Sequence, residues 1–434
     1  MKNMKRHVSV AGLLKIIRRQ FEKSPENITR EGISLSDCLM SGLAVFMLKS
    51  PSLLDFDEKR KDPVICHNLK ALYGVENAPC DTYLRERLDR ALPQSIKKAF
   101  AQVFTAVQRS KVLERYEYYD GHYLLSIDGT GHFYSDKIQC ESCCVKEHRD
   151  GTKSYYHQSL GAVIVHPNQK AVIPLAPEPI TKIDGRNKND CERNASKRQL
   201  TDIRREHPHI KLIVVEDGLG SSGPHIKLLK SLDMRFILGA KPDDHKYLFE
   251  FVRASKCKEK EERTSDGTIH RYRWIEKVPL NDANYDCEVN FLEYWEISKN
   301  GKEQHFTWVT DIPLTPTTVR IVMRGGRCRW KIENETFNTL KNQGYHFEHN
   351  FGHGNKHLCT VFAYLMFLAF LVDQIQQLCC EFFNRALIKM HNKKKCLWEI
   401  MRNLFVTYYI ESWVDFYDSI AYGFRRGTLK ADTS

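Results

Sequence analysis

The stretch IKLIVVEDGLGSSGPHIKLLKSL, residues 210–232, contains a short apolar run, an acidic turn and an amphipathic segment. The run is rich in Ile, Leu and Val, has the length of a buried strand, and stops at Asp217 and Gly218. The segment that follows has apolar residues at helical spacing. Strand, turn and helix in this order, with further strand and helix patterns on both sides, predict an α/β sheet.

The chain has 434 residues, of which 42% are hydrophobic and 28% are charged, as in ordinary globular proteins. Its net charge of +12 favours a polyanionic partner, nucleic acid before an anionic membrane, although a basic protein can also bind no polyanion. The longest apolar run, residues 358–372, is shorter than a membrane span. We interpret it as a buried helix and expect no membrane contact.

The distribution of patterns divides the chain into five parts. The predicted parts are a helical region 1–118, an α/β part 119–244, a β-rich stretch 245–312, a helical segment 313–345, and a helical region 346–434. The 14 cysteines are scattered, and the basic N-terminal segment lacks the apolar core of a signal peptide. Free thiols in a reducing cytoplasm are the simplest interpretation.

Two aspartates occupy the same context in two predicted strands. Asp128 follows the apolar run in HYLLSIDGTGHFYS, Asp217 follows the run described above, and a glycine comes after each. Carboxylates at neighbouring strand ends of an α/β sheet can form a site for Mg²⁺ or Mn²⁺, and two such ions support phosphodiester cleavage. The alternative for each Asp-Gly pair is a plain turn.

A third carboxylate comes from RCRWKIENETFNTLK, residues 327–341. If the segment is one helix, a step of about 100° per residue places Glu333 within about 40° of Arg329, on the apolar face, and Glu335 on the polar face. The other residues predicted on the apolar face are Trp330, Phe337 and Leu340. A carboxylate on an apolar face needs a partner or a metal. Pairing of Arg329 with Glu333 inside the helix is the simpler alternative.

The segment CESCCVKEHRDGTKSYYHQ, residues 140–158, has the spacing of a metal site. Cys140 and Cys143 form a Cys-x2-Cys pair, and His148 and His157 follow, which predicts a possible tetrahedral Zn²⁺ site. The adjacent Cys144 leaves open which thiols bind. Reduced thiols without a metal are the alternative.

Basic residues elsewhere indicate contacts with phosphate. A helix, a glycine turn and a helix with Arg85, Arg87 and Arg90 resemble a helix-turn-helix unit, and a plain helical hairpin is the alternative. His353 and His357 are interpreted as phosphate or helix-capping contacts.

Asp128, Asp217 and the helical Arg-Trp-Lys-Ile-Glu that contains Glu333 resemble the DDE transposases of bacterial insertion sequences. The resemblance covers residues 119–345. It implies an RNase H-like mixed sheet flanked by helices, interrupted by a β-rich insertion, with helical N- and C-terminal regions. One branch has a Tyr-Arg-Glu-Lys pattern, of which this chain keeps the Arg and Glu but has Gly326 and Leu340 at the other two positions.

The resemblance implies roles for individual residues. Asp128, Asp217 and Glu333 would bind Mg²⁺ or Mn²⁺. Arg329 would orient Glu333 or contact phosphate, and Lys341 would contact phosphate from the helix flank.

The resemblance also implies partners and a location. The enzyme would bind the terminal inverted repeats of its element and a target DNA, act as a homodimer that bridges two ends, and associate with the nucleoid in a bacterial cytoplasm. Two alternatives remain open: a nuclease with the same core that does not transfer strands, and a domesticated DNA-binding protein.

Overall fold

The computed structural model describes residues 8–26, 32–185, 188–423 and 430–431. A mixed sheet of 12 strands forms its centre. The strands are β1 Glu117–Tyr119, β2 His122–Ser135, β3 Cys144–Glu147, β4 Lys153–Val165, β5 Ile173–Pro174, β6 Glu178–Ile180, β7 Leu212–Glu216, β8 Arg235–Gly239, β9 Lys258–Arg263, β10 Ile269–Pro279, β11 Glu288–Ile297 and β12 Glu303–Thr310.

The strand order along the sheet is β3-β4-β2-β7-β8-β12-β11-β10-β9, and β1, β5 and β6 pair at its side. β7 lies between β2 and β8 and is parallel to both, while the other pairs are antiparallel. All five residues of β7 are buried, as expected for a strand covered on both faces. The predicted mixed α/β sheet with flanking helices is therefore confirmed.

The stretch 245–312 begins with a helix, Lys246–Ala254, and continues as the four antiparallel strands β9 to β12. β12 pairs with β8 between Trp308↔Gly239 and Thr310↔Ile237. The β-rich stretch thus continues the central sheet at the β8 edge.

Helices cover both faces of the sheet near β2. Gly161 is paired with Asp128, so these two residues lie on the same face of the sheet. Gly129 follows Asp128 directly, and successive residues of a strand face opposite sides, so Gly129 lies on the other face. Glu192 of the helix Lys188–Glu206 lies against Gly129, and Phe337 lies against Gly161. The remaining helices at the sheet are Gly223–Ser231, Thr318–Arg327, a π-helix Ile332–Phe337, and Asn338–Asn342.

The N- and C-terminal helical regions pack against each other. The N-terminal helices are Val10–Phe21, Leu35–Met47, Leu53–Lys59, Pro63–Asn68 with a π-turn Leu69–Tyr73, Asp81–Asp89 and Pro93–Arg109; the C-terminal ones are Leu358–Cys379, Glu381–Lys389, Lys394–Thr407 and Trp413–Tyr422, with a short pair β13 Tyr408–Tyr409 and β14 Lys430–Ala431. Every residue of Leu35–Met47 is buried, and this helix packs on Leu358–Cys379. Beside them, Lys49 Nζ lies 2.6 Å from Asp373 Oδ2 in the core.

The helix Leu358–Cys379 is longer than the apolar run from which it was predicted. Among the described residues it is the one helix long and apolar enough to cross a bilayer. Its apolar stretch is wholly buried inside the protein, so packing accounts for its composition.

Candidate active site and cysteine–histidine cluster

Asp128 and Asp217 are brought together by the register of two parallel strands. β2 and β7 pair from Tyr123↔Leu212 to Ser126↔Val215. Asp128 and Asp217 each lie two residues beyond the last pair of this register, where neighbouring strands are about 4.8 Å apart, and both line one cleft. Asp217 directly follows β7, as predicted, and its Oδ1 accepts the Leu219 N–H at 2.9 Å.

The prediction that Asp128 ends its strand is wrong. β2 continues to Ser135, because its second half pairs with β4 as one arm of a long hairpin. Asp128 therefore lies next to the end of β7. Beyond this point β2 pairs with β4 but no longer with β7. Both aspartates line a cleft of about 560 Å³. The other acidic and basic residues at this cleft are Glu192, Arg193, Lys241, Asp244 and His245.

The segment that carries Glu333 is not a single regular helix. The helix Thr318–Arg327 gives way to a turn at Cys328 and Arg329, and the π-helix Ile332–Phe337 follows. The Ser126 hydroxyl in β2 donates to the carbonyl of Arg329 at 3.1 Å. This bond holds the backbone against the sheet at the break, and π-helical turns are often found at functional sites.

The break changes which residues face the core. Phe337 and Leu340 are buried as predicted, but Trp330 is 53% exposed, so its predicted place on the apolar face is wrong. The side chain of Glu333 is 42% exposed and lies at the edge of the buried face. Glu335 lies near a different group: burial lowers the pKa of Lys394, and the charge of Glu335 opposes that shift.

Arg329 connects the first and third predicted acids. Its Nη1 lies 3.0 Å from Asp128 Oδ2 and 2.6 Å from Glu333 Oε1. The Arg329–Glu333 pair, which was the simpler alternative, is therefore present. Arg329 also pairs with Asp128 of the sheet. Burial raises the pKa of Asp128 to about 7; the charge of Arg329 opposes this shift, and Glu333 adds to it. Carboxylates crowded in this way favour a bound cation.

The buried end of β7, at Glu216, is held by side-chain contacts. Glu216 Oε2 lies 2.5 Å from His225 Nε2, and the Ser196 hydroxyl donates to Glu216 Oε1 at 3.3 Å. These contacts fix the chain immediately before Asp217. Local sequence patterns do not reveal these contacts, because the three residues come from one strand and two helices.

Gly161 determines how closely the π-helix approaches the sheet. A Cβ there would lie 2.8 Å from Cε1 of Phe337, which is closer than carbon atoms can pack. We expect Gly161→Ala to push the Phe337 ring away and to lower the free energy of unfolding by about 1–3 kcal/mol, as overpacking does. Urea unfolding measures this. Gly131→Ala in β2 is the matched control, because the nearest atom would lie at 3.9 Å. Equal stability of the two variants would contradict the predicted role of Gly161.

The predicted phosphate contacts are located as follows. Arg85 pairs with Asp81 and is partly exposed, and Lys341 Nζ lies 2.7 Å from Glu348 Oε1. Arg87 is 2% exposed and pairs with Glu26, so the structure contradicts its predicted contact with phosphate. It lies on the face of its helix that packs inward.

Two thiols and two imidazoles form a cluster at the β2–β4 edge. Cys140 and Cys143 lie in the loop before β3, His157 lies in β4, and His353 comes from the segment before the helix Leu358–Cys379. Their ligand atoms all lie within 4.8 Å of one another. Among the described residues no other group of this kind, including the three carboxylates, is gathered so tightly.

The cluster differs from the predicted one in its fourth member. His148 lies apart, with Nε2 2.6 Å from the Ser154 hydroxyl, and His353 takes its place. The imidazole of His353 is buried in the cluster and is not a phosphate contact, whereas the carbonyl of His353 accepts the Cys359 N–H at 3.2 Å in the first turn of the following helix. Capping of the following helix comes from Asp89, whose Oδ1 accepts the N–H groups of His357 at 3.0 Å and Leu358 at 3.1 Å.

No family model matches the sequence, and no curated protein matches it. Among solved structures, the chain is similar to a piggyBac transposase in a synaptic complex with hairpin DNA, with a TM-score of 0.40 and 11% sequence identity. The match covers 93% of this chain and 79% of that chain.

Proposed function

We propose that the protein is a DDE transposase of the bacterial insertion-sequence type, with an RNase H-like core. It would cut DNA at the ends of its element and join those ends to a target. One observation carries the proposal: Asp128 and Asp217 line one cleft where the pairing of β2 with β7 ends, and Arg329 pairs with both Asp128 and Glu333. Two acids from neighbouring strands and a third from a covering helix agree with the resemblance seen in the sequence.

The donor set suits Mg²⁺ or Mn²⁺, because these ions prefer carboxylate oxygens. Asp128, Asp217 and Glu333 would hold them. When bound, such ions supply an activated water and the positive charge that stabilises a leaving oxygen. For this chemistry the protein would have to hold the three carboxylates around the metal position, next to the DNA strand that is cut.

The supports of the three acids differ in rigidity. Asp128 lies inside a long strand and Asp217 follows a fully buried one, so their separation is fixed by the sheet. Glu333 lies on a π-helix and its side chain is partly exposed, so its position is held less rigidly than those of the aspartates. Arg329, which pairs with Asp128 and Glu333, would release one of them and turn its guanidinium to a phosphate.

DNA as the partner is supported by charge. The chain carries +12 overall, and Arg193 and Lys241 lie at the rim of the cleft that contains the two aspartates. These side chains would hold the phosphates on either side of the cleaved bond. The exposed Arg90 and the partly exposed Arg85 would contribute to binding of the terminal inverted repeats. A homodimer in a bacterial cytoplasm would bridge the two ends.

A strand-transfer assay tests the proposal. The purified chain is incubated in Mg²⁺ with a labelled duplex that carries the DNA bordering the gene, together with a supercoiled plasmid. We expect nicking at one position of the duplex, followed by covalent joining of the label to the plasmid. Cleavage without joining would overturn the transposase and favour the nuclease. DNA binding without cleavage would overturn both the transposase and the nuclease, and would favour the DNA-binding protein.

A further inference from the structure

The cysteine–histidine cluster has the dimensions of a tetrahedral metal site. With Zn–S bonds of about 2.3 Å and Zn–N bonds of about 2.0–2.1 Å, the edges of a tetrahedron are about 3.8 Å for S–S, about 3.6 Å for S–N and about 3.3 Å for N–N. The Sγ atoms of Cys140 and Cys143 are 3.7 Å apart. His157 Nε2 lies 3.4 Å from Cys140 Sγ and 3.3 Å from Cys143 Sγ, His353 Nε2 lies 3.4 Å from Cys143 Sγ, and the two Nε2 atoms are 3.1 Å apart.

The surroundings prepare these side chains to be ligands. The Nδ1 of His353 lies 2.8 Å from the carbonyl of Gly354, so an Nδ1–H can donate there and leave the Nε2 lone pair directed at the cluster. The backbone N–H of Cys140 donates to Cys143 Sγ at 3.4 Å, a bond that stabilises a thiolate. Phe133 packs on both imidazoles, at 5.8 Å from His157 and 4.4 Å from His353 between ring centroids.

The chemistry of the donors selects among metals. Two thiolates and two imidazoles in a tetrahedron favour Zn²⁺, whereas Mg²⁺ and Ca²⁺ require oxygen ligands. Four protein ligands leave no open position, as in structural rather than catalytic zinc sites. Cys143, His157 and His353 are all buried, with exposed fractions of 1%, 4% and 7%, so water has little access.

We propose that Cys140, Cys143, His157 and His353 bind a structural Zn²⁺ ion. The ion ties three parts of the chain together: the loop after β2, the strand β4, and the segment between the π-helix region and the helix Leu358–Cys379. His353 is 210 residues from Cys143 along the chain, so the ion closes a long loop. This inference does not depend on the proposed enzymatic activity.

The metal content of the full chain tests the proposal. Two histidine variants distinguish the ligand set seen in the structure, which includes His353, from the one predicted by sequence spacing, which includes His148. We expect about one zinc per chain by elemental analysis of the parent protein and of His148→Ala. His353→Ala is expected to bind zinc on the order of 100-fold more weakly or worse, and to lose it during purification. Zinc that is retained by His353→Ala but lost by His148→Ala would overturn the ligand assignment.

A second measurement applies if His353→Ala does not fold. The parent chain is loaded with Co²⁺ in place of zinc, and its absorption spectrum is recorded. Tetrahedral coordination with two thiolates should give sulfur-to-cobalt charge-transfer bands and visible ligand-field bands, and His353→Cys should strengthen the charge-transfer bands through a third thiolate. A folded parent chain with neither zinc nor these bands would overturn the proposal.

Discussion

Glu333→Gln is expected to abolish Mg²⁺-dependent nicking while the protein stays folded. The substitution keeps the size of the side chain but removes the charge that lies 2.6 Å from Arg329 and, through it, is linked to Asp128. Glu333 is 42% exposed, so its loss should cost little stability. We expect the initial nicking rate to fall by about 10²–10³-fold or more, the scale for loss of one group that stabilises a transition state. Rates on a labelled duplex measure this.

Glu335→Gln is the matched control, since it makes the same chemical change two residues further along. The charge of Glu335 acts on Lys394, and Glu335 is not among the groups that act on Asp128, so this variant should cleave close to the parent rate. If Glu335→Gln is inactive and Glu333→Gln is active, the third acid is Glu335. In that case the assignment of Glu333 through its contact with Arg329 is wrong.

Asp128→Asn and Asp217→Asn are expected to bind DNA as the parent does and to lose cleavage. Both residues line the cleft at the end of β7, and an amide is a much poorer ligand for Mg²⁺ than a carboxylate. We expect each variant to lose at least about 10²-fold in nicking rate. Gel-shift binding and nicking are measured on the same duplex, so that loss of binding is distinguished from loss of chemistry.

Asp243→Asn is the control for these two variants. Asp243 is exposed and lies outside the set of residues that line the cleft. Its substitution changes the net charge by the same amount and should leave both binding and nicking unchanged. Nicking at the parent rate by either Asp128→Asn or Asp217→Asn would remove that residue from the site.

The sheet could be predicted because its central strands carry strong local patterns. β7 is an apolar run of strand length, and the Asp-Gly that ends it marks the turn. The same kind of pattern identified Asp128 as a candidate, but the strand that was predicted to end there continues to Ser135. The remainder of β2 continues because it pairs with β4, and a pairing with a distant partner leaves no trace in local periodicity.

The parts that escaped prediction depend on contacts between distant residues. The turn at Arg329 is held by Ser126, so a step of about 100° per residue, which holds only for a regular helix, does not give the true position of Trp330. His148 and His353 could not be distinguished by spacing, since the fourth member of the cluster comes from 210 residues away. Arg87 carries the charge of a phosphate contact, but its position on the helix directs it into the protein.

The packing of the first helices on the last ones has a consequence for how the protein is made. Lys49 is paired with Asp373 in the core, and 324 residues separate them. At about 5–20 residues per second, a ribosome needs roughly 16–65 s to synthesise that interval. The apolar face of Leu35–Met47 leaves the ribosome long before Leu358–Cys379 exists to cover it. The nascent chain must therefore be kept from aggregating throughout translation, and a message cut short before the last helices would yield a product that chaperones retain or proteases remove.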